Sequence, residues 1–251
     1  MEASTSQSTT VATVALLVAE AVTVTVAVAI LGKNFNFPYI LRQPAANAFG
    51  LFKSNQPAIL LGYYIFLVSS LLYVPLSFML KKVFDTTENR LTTLALVGLG
   101  ICTALFQSIG FVRWIFAMPF LTETYFAKPE SQKTIALIYE TLNRYAGVSI
   151  GEHLGFIAMG GWTVLLGIIL QRHSQPIKWA GYTGLAIGTM IALSVGEHFG
   201  GSTAPLFGTI NFLANASWTF WLLALAGILW MKRAEQNQLN PSPQSTHQST
   251  W

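Results

Sequence analysis

Val11–Leu31 reads VATVALLVAEAVTVTVAVAIL, and the reading of this stretch decides the fold. Its Val and Thr content favours a strand in water. Inside lipid, however, a lone strand leaves its backbone N–H and C=O groups unpaired, whereas a helix pairs them within the segment. Helix is therefore the expectation. A secretory signal competes, because Ala27-Val28-Ala29 has the small residues of a cleavage site. Residues 1–10 carry no Lys or Arg and the apolar run exceeds the short core of a signal, so the helix is expected to be retained.

Comparable runs recur at 57–80, 91–118, 147–170, 177–200 and 207–231, each near the ~20 residues that a membrane helix needs. Hydrophobic residues make up 53% of the chain and charged ones 10%, with a mean hydropathy of +0.52, which is too apolar for a soluble domain of 251 residues. The expected fold class is all-α, a polytopic transmembrane bundle of six helices over 11–231. Polar tails at 1–10 and 232–251 cannot bury enough surface to offset their ordering entropy and are expected to be disordered. The expected partner is the lipid bilayer, with a homo-oligomer or a partner membrane protein left open.

The formal charge of +4 and the pI near 9.2 come from Lys and Arg scattered at span ends, without the basic stripe that nucleic acid requires. Nucleic acid is excluded as the expected partner. Cys102 is the single cysteine, so there is no internal disulfide, and its apolar setting predicts an inert buried thiol. The connection 32–56, with Pro38 and Pro44, is expected in the membrane interface. At about 130–145, Ile135, Ile138 or Tyr139, Leu142 and Tyr145 recur at helical spacing. Two readings stand side by side: an interfacial amphipathic helix, or an N-terminal extension of the fourth span.

An even number of spans puts both termini on one face. Lys81, Lys82, Lys232 and Arg233 lie close to span ends there, and positive charges near span ends favour the cytoplasm. The expectation is a multipass plasma (inner) membrane protein with cytoplasmic termini.

Val148-Ser149-Ile150-Gly151-Glu152-His153-Leu154-Gly155 returns 45 residues later as Leu193-Ser194-Val195-Gly196-Glu197-His198-Phe199-Gly200. Five positions are identical. The copies lie near the start of one span and the end of the next, so antiparallel helices bring both Glu-His pairs to the same depth, near the extracytoplasmic face. In the third span Arg113 and Gln107 approach that level. An Arg at span centre costs about 2.5–3.5 kcal/mol on insertion scales, so Arg113 is expected to pair with Glu152 or Glu197. Asn211 and Asn215 approach from the sixth span. Gly147, Gly151 and Gly155, then Gly184 and Gly188, then Gly196 and Gly200, form small-residue faces that allow close helix approach.

The bland reading of the pairs is a salt-bridged knot that fixes helix register. The sharper one is a divalent metal (Zn, Mn or Fe) held by Glu152, His153, Glu197 and His198, since imidazole and carboxylate suit these ions. Adjacent residues on a helix lie about 100° apart, which counts against four ligands around one point. A haem between the two histidines is disfavoured, because helices packed through glycine leave little room for a macrocycle. Glu20, an intramembrane carboxylate, is a further candidate as part of a proton path or bonded to a neighbouring hydroxyl. His173 and His247 are expected in solvent, and Trp179, Trp218, Trp221 and Trp230 at the interface or on lipid-facing flanks.

Phe111-Val112-Arg113-Trp114 running to Pro119, followed by Glu152-His153-Leu154-Gly155, resembles a bacterial family of small six-span membrane proteins of uncharacterised function. The likeness covers most of residues 11–231. It implies a multipass plasma-membrane protein and supplies no activity. Membrane zinc hydrolases with several His, an Asp and a Ser are not matched: only two histidines are intramembrane, and the one Asp, Asp85, lies on the opposite face. Three function classes stay open: a metal-binding protein or metal-dependent enzyme, a small-solute or proton-coupled transporter, and a structural or accessory membrane protein. Whether the chain is an enzyme is not legible.

Overall fold

The computed structural model describes residues 2–239. The first span is α1 (Glu2–Phe35), which begins within the stretch expected as a tail. Its Val/Thr-rich sequence is held as helix partly by its own hydroxyls: Thr13, Thr23 and Thr25 each donate to the carbonyl four residues earlier, at 2.7–2.9 Å. Each such bond satisfies a hydroxyl that lipid could not. The second span is α2 (Ala45–Phe84), bent at Asn55, whose φ of −128° precedes Pro57. Proline removes a backbone donor and crowds the preceding turn, which is the local cause of the bend.

The third span joins α3 (Arg90–Val112) to α4 (Met118–Ala127) through a π-helical segment, Arg113–Ala117. The fourth runs from a short 3-10 turn through α5 (Gln132–Leu142), a π-helical segment Asn143–Leu154, and α6 (Gly155–Gln171). The residues expected at about 130–145 are thus an extension of the fourth span. The fifth is α7 (Ile177–Ser194) with a terminal 3-10 turn, Val195–Phe199, and the sixth is α8 (Ala204–Leu239). Gly200 and Gly201, at φ +72° and +77°, make the turn between them in a region where a Cβ is strained. The tail residues 240–251, including His247, lie outside the described residues.

These are six helices long and apolar enough to cross a membrane, Ser8–Phe35, Ala45–Phe84, Arg90–Ala127, Pro129–Gln171, Ile177–Phe199 and Ala204–Glu235. No strand occurs among the described residues. Three of the spans outrun their apolar cores because helix continues into the connections. The connection after α1 also folds inward: Ile40 and Leu41 of the 3-10 turn Tyr39–Arg42 are buried, as are Ala45, Ala48, Phe49 and Phe52.

Two apolar cores stack along the bundle. One, nearer the termini, gathers Leu76, Leu80, Trp162, Leu166, Leu170 and Leu222. The other gathers Phe35, Phe49, Phe52, Tyr63, Trp114 and Tyr139. Trp218 and Trp221 belong to the first core, not to the lipid face, because each indole N–H has a partner inside: Thr163 Oγ1 at 3.1 Å and the Ala180 carbonyl at 2.8 Å. Trp179 and Trp230 are exposed. His173 is half-buried with its ring edge against Phe84 at 5.1 Å, so it is not a solvated turn residue. Cys102 is half-buried.

Candidate polar site opposite the termini

Glycine sets the helix spacing at the site, though not with the partners the sequence pattern proposed. Added Cβ atoms at Gly110 and Gly151 would each sit 2.8–3.1 Å from the other residue's Cα, and at Gly147 a Cβ would strike the Arg113 guanidinium. The face Gly147, Gly151, Gly155 therefore packs on the third span. The fourth and fifth spans close up lower down, where Gly160 opposes Gly188 and Gly167 opposes Gly181. Gly110 lies 20 residues beyond Arg90, and Glu197 lies 20 beyond Ile177, so the level of both is about 30 Å along the helices, one hydrocarbon thickness away from the face of the termini.

At this level four segments leave α geometry together. Arg42 ends the 3-10 turn Tyr39–Arg42, Arg113 opens one π segment, Asn143, Glu152 and His153 lie in the other, and Glu197 and His198 lie in the closing 3-10 turn of the fifth span. Departures of this kind concentrate where side chains must be aimed at a site.

The two Glu-His copies meet. His198 Nε2 lies 3.1 Å from Glu152 Oε2, and His198 Nδ1 lies 3.4 Å from His153 Nδ1. An ionised carboxylate only accepts, so Nε2 carries a hydrogen, and in neutral His198 the bare Nδ1 faces an N–H of His153. Phe199 packs edge-on to the His153 ring at 5.7 Å. The cation at the centre is Arg42. Its Nη2 donates to Glu152 Oε2 at 2.7 Å and to Glu197 Oε1 at 3.4 Å, and Nη1 donates to Glu152 Oε1 at 3.4 Å. Burial disfavours the charged guanidinium, but the two carboxylates outweigh it and hold Arg42 above its ordinary value. His198 is nearly enclosed, with 7% of its side chain exposed, while Arg42 at 41% reaches the surface.

Arg113 does not pair with either glutamate. Its Nη1 donates to the Gly110 carbonyl at 2.5 Å and its Nη2 to Asn143 Oδ1 at 3.0 Å, while Asn143 donates to the Leu41 carbonyl at 3.0 Å. Sequence reading does not single out Arg42. The signal for it is that Arg42 follows an apolar Tyr39-Ile40-Leu41 between two prolines, on the same face as both Glu-His copies.

The remaining candidates lie apart from the cluster's hydrogen bonds. Gln107 Nε2 meets Met159 sulfur at 3.6 Å, and Asn215 bonds back to Asn211. Glu20 is fully buried in α1 and accepts from Ser69 Oγ at 2.8 Å, with Oε2 left without a partner. Arg42 donates to both carboxylates of the repeat, and His198 lies on Glu152 and His153. Among the described residues no group of three or more His, Cys, Asp or Glu is placed to hold a metal ion. A cleft of about 430 Å³ on the third span's extension, lined by Lys53, Gln56, Pro119, Thr122, Glu123, Phe126 and Ala127, contains none of the cluster residues.

Comparison with known proteins gives a family without an assigned activity. Residues 12–226 match the family described as Domain of unknown function (DUF4386), and the chain belongs to it. No curated protein and no solved structure matches the chain. The chain is thus a six-span, multipass membrane protein of this family.

Proposed function

We propose that this is a proton-responsive membrane protein of the small-solute-binding or transporting class. In this reading the His153–His198–Glu152–Arg42–Glu197 chain is a pH-sensitive clamp at the extracytoplasmic boundary of the plasma membrane, with the termini cytoplasmic. The observation that carries it is the placement of His198, with one ring nitrogen on a carboxylate and the other on a second imidazole. Histidine is the side chain that takes up a proton near neutral pH. Protons on both rings put two N–H groups between His153 and His198 where one fits, and give Glu152 a second cationic partner in competition with Arg42. Arg42 belongs to the connection after α1, so loosening it releases the ionic hold of the fourth and fifth spans on that connection.

Hydrogen exchange of the purified protein in lipid nanodiscs tests the clamp. After correction for intrinsic rates, exchange in 39–42 and 195–199 is expected to rise several-fold from pH 8 to pH 5 and to lose its pH dependence in His198→Gln and Arg42→Gln. Flat exchange in the unmodified protein would leave a register-fixing knot in place of a clamp. Elemental analysis decides the metal reading: stoichiometric zinc, manganese or iron that disappears in the His153→Ala/His198→Ala double variant would replace the clamp by a metal centre.

A further inference from the structure

Beneath the clamp, the second core holds three polar atoms that the fold does not satisfy. Tyr63, Trp114 and Tyr139 are 1%, 1% and 2% exposed. The Tyr63 hydroxyl, the Trp114 indole N–H and the Tyr139 hydroxyl have no hydrogen-bond partner among the described residues. Buried groups of this kind are costly to leave unpaired, so three on neighbouring rings call for an occupant.

The three rings are neighbours. Tyr63 stacks on Trp114 at a centroid distance of 5.2 Å and an interplanar angle of 7°, and Tyr139 meets Trp114 edge-on at 6.2 Å. The Arg113 guanidinium carbon lies 5.3 Å from the Trp114 ring, and Arg113 is within electrostatic reach of both tyrosines. Arg113 has five N–H donors, of which the Gly110 carbonyl and Asn143 take one each. It makes no ion pair among the described residues. Glu152 is within its electrostatic reach but is engaged by Arg42 and His198.

Each polar group here either donates a hydrogen or can: the guanidinium with donors to spare, and the two phenols and one indole without partners. We infer that Arg113, Tyr63, Trp114 and Tyr139 form a buried binding site for a small monocarboxylate. The fork of an arginine matches the two oxygens of a carboxylate. One cation, set against the Trp114 ring, balances one negative charge and disfavours a dianion such as hydrogen phosphate. The inference is independent of the clamp, since none of the four side chains is a member of it.

The test uses the full chain in nanodiscs, with sodium acetate as probe and sodium chloride at equal ionic strength as control. Acetate is expected to raise the apparent Tm in a saturable way and to give a binding isotherm by calorimetry, whereas chloride does neither. Tyr63→Phe and Tyr139→Phe are each expected to weaken acetate binding about tenfold. Without acetate both variants keep or exceed the parent Tm, because each removes an unpaired buried hydroxyl and nothing else. Arg113→Lys, which keeps the charge and loses the fork, is expected to weaken binding further. Equal effects of acetate and chloride, or a Tm lowered by both tyrosine variants with no change in acetate binding, would overturn the site and show hydroxyls satisfied within the fold.

Discussion

At the scale of the residue, position relative to the bundle decides what a polar side chain does. His173 illustrates this in the short connection between the fourth and fifth spans. Burial lowers its proton affinity below the ordinary histidine value, and nearby Lys232 adds to the effect. A lowered folded value means that the neutral form is preferred in the native state, so this contribution to stability is complete above the unfolded value, ~6.5, and is lost as pH falls through the folded one. The apparent Tm of the parent is therefore expected to fall more steeply between pH 7 and pH 5 than that of His173→Leu. Parallel curves would show that the group does not sense folding. Arg42 makes the complementary point, since a charge in the connection 32–56 becomes the hub of the cluster once Ile40 and Leu41 are buried beneath it.

At the scale of the element, six apolar runs separated by polar turns predict six helices, because lipid leaves them no other backbone solution. The runs do not predict the helix lengths. Helix persists into the flank Ala45–Asn55, ahead of Pro57, where tertiary packing of Phe49 and Phe52 in the second core overrides composition. Nor is the π geometry legible, since Gly147, Gly151 and the β-branched Val148 and Ile150 of Asn143–Leu154 weaken an α-helix without specifying what replaces it. The glycine pattern was legible as close packing while its partner was not, because Gly110 carries no repeat of its own. Gly151→Val tests that contact: a Cβ there would sit 2.8 Å from the Gly110 Cα, a backbone atom that cannot move aside. The variant is expected to lose about 2–3 kcal/mol of stability, seen as a lower midpoint in denaturant titration, whereas Gly98→Ala, with open space around it, is expected to change little.

At the scale of the whole molecule, the meeting of the two Glu-His copies was readable from antiparallel spans at matched depth, and the structure brings His198 to both Glu152 and His153. Which cation joined them was not, because Arg42 and Arg113 arrive at one level from different segments and only the fold decides which reaches the carboxylates. Helix lengths also make the molecule uneven. Arg90–Ala127 is about 57 Å long, beyond the ~30 Å of hydrocarbon, and its excess lies past Gly110 on the side away from the termini. The hairpin tip at Lys128 thus stands about 27 Å above the cluster, taller than any other connection on that side by chain length. An amine reagent that cannot cross lipid would find this lysine, and Lys53 beside Phe126, when applied from that side, and a fused tag placed at the tip would report sidedness without touching the chemistry below.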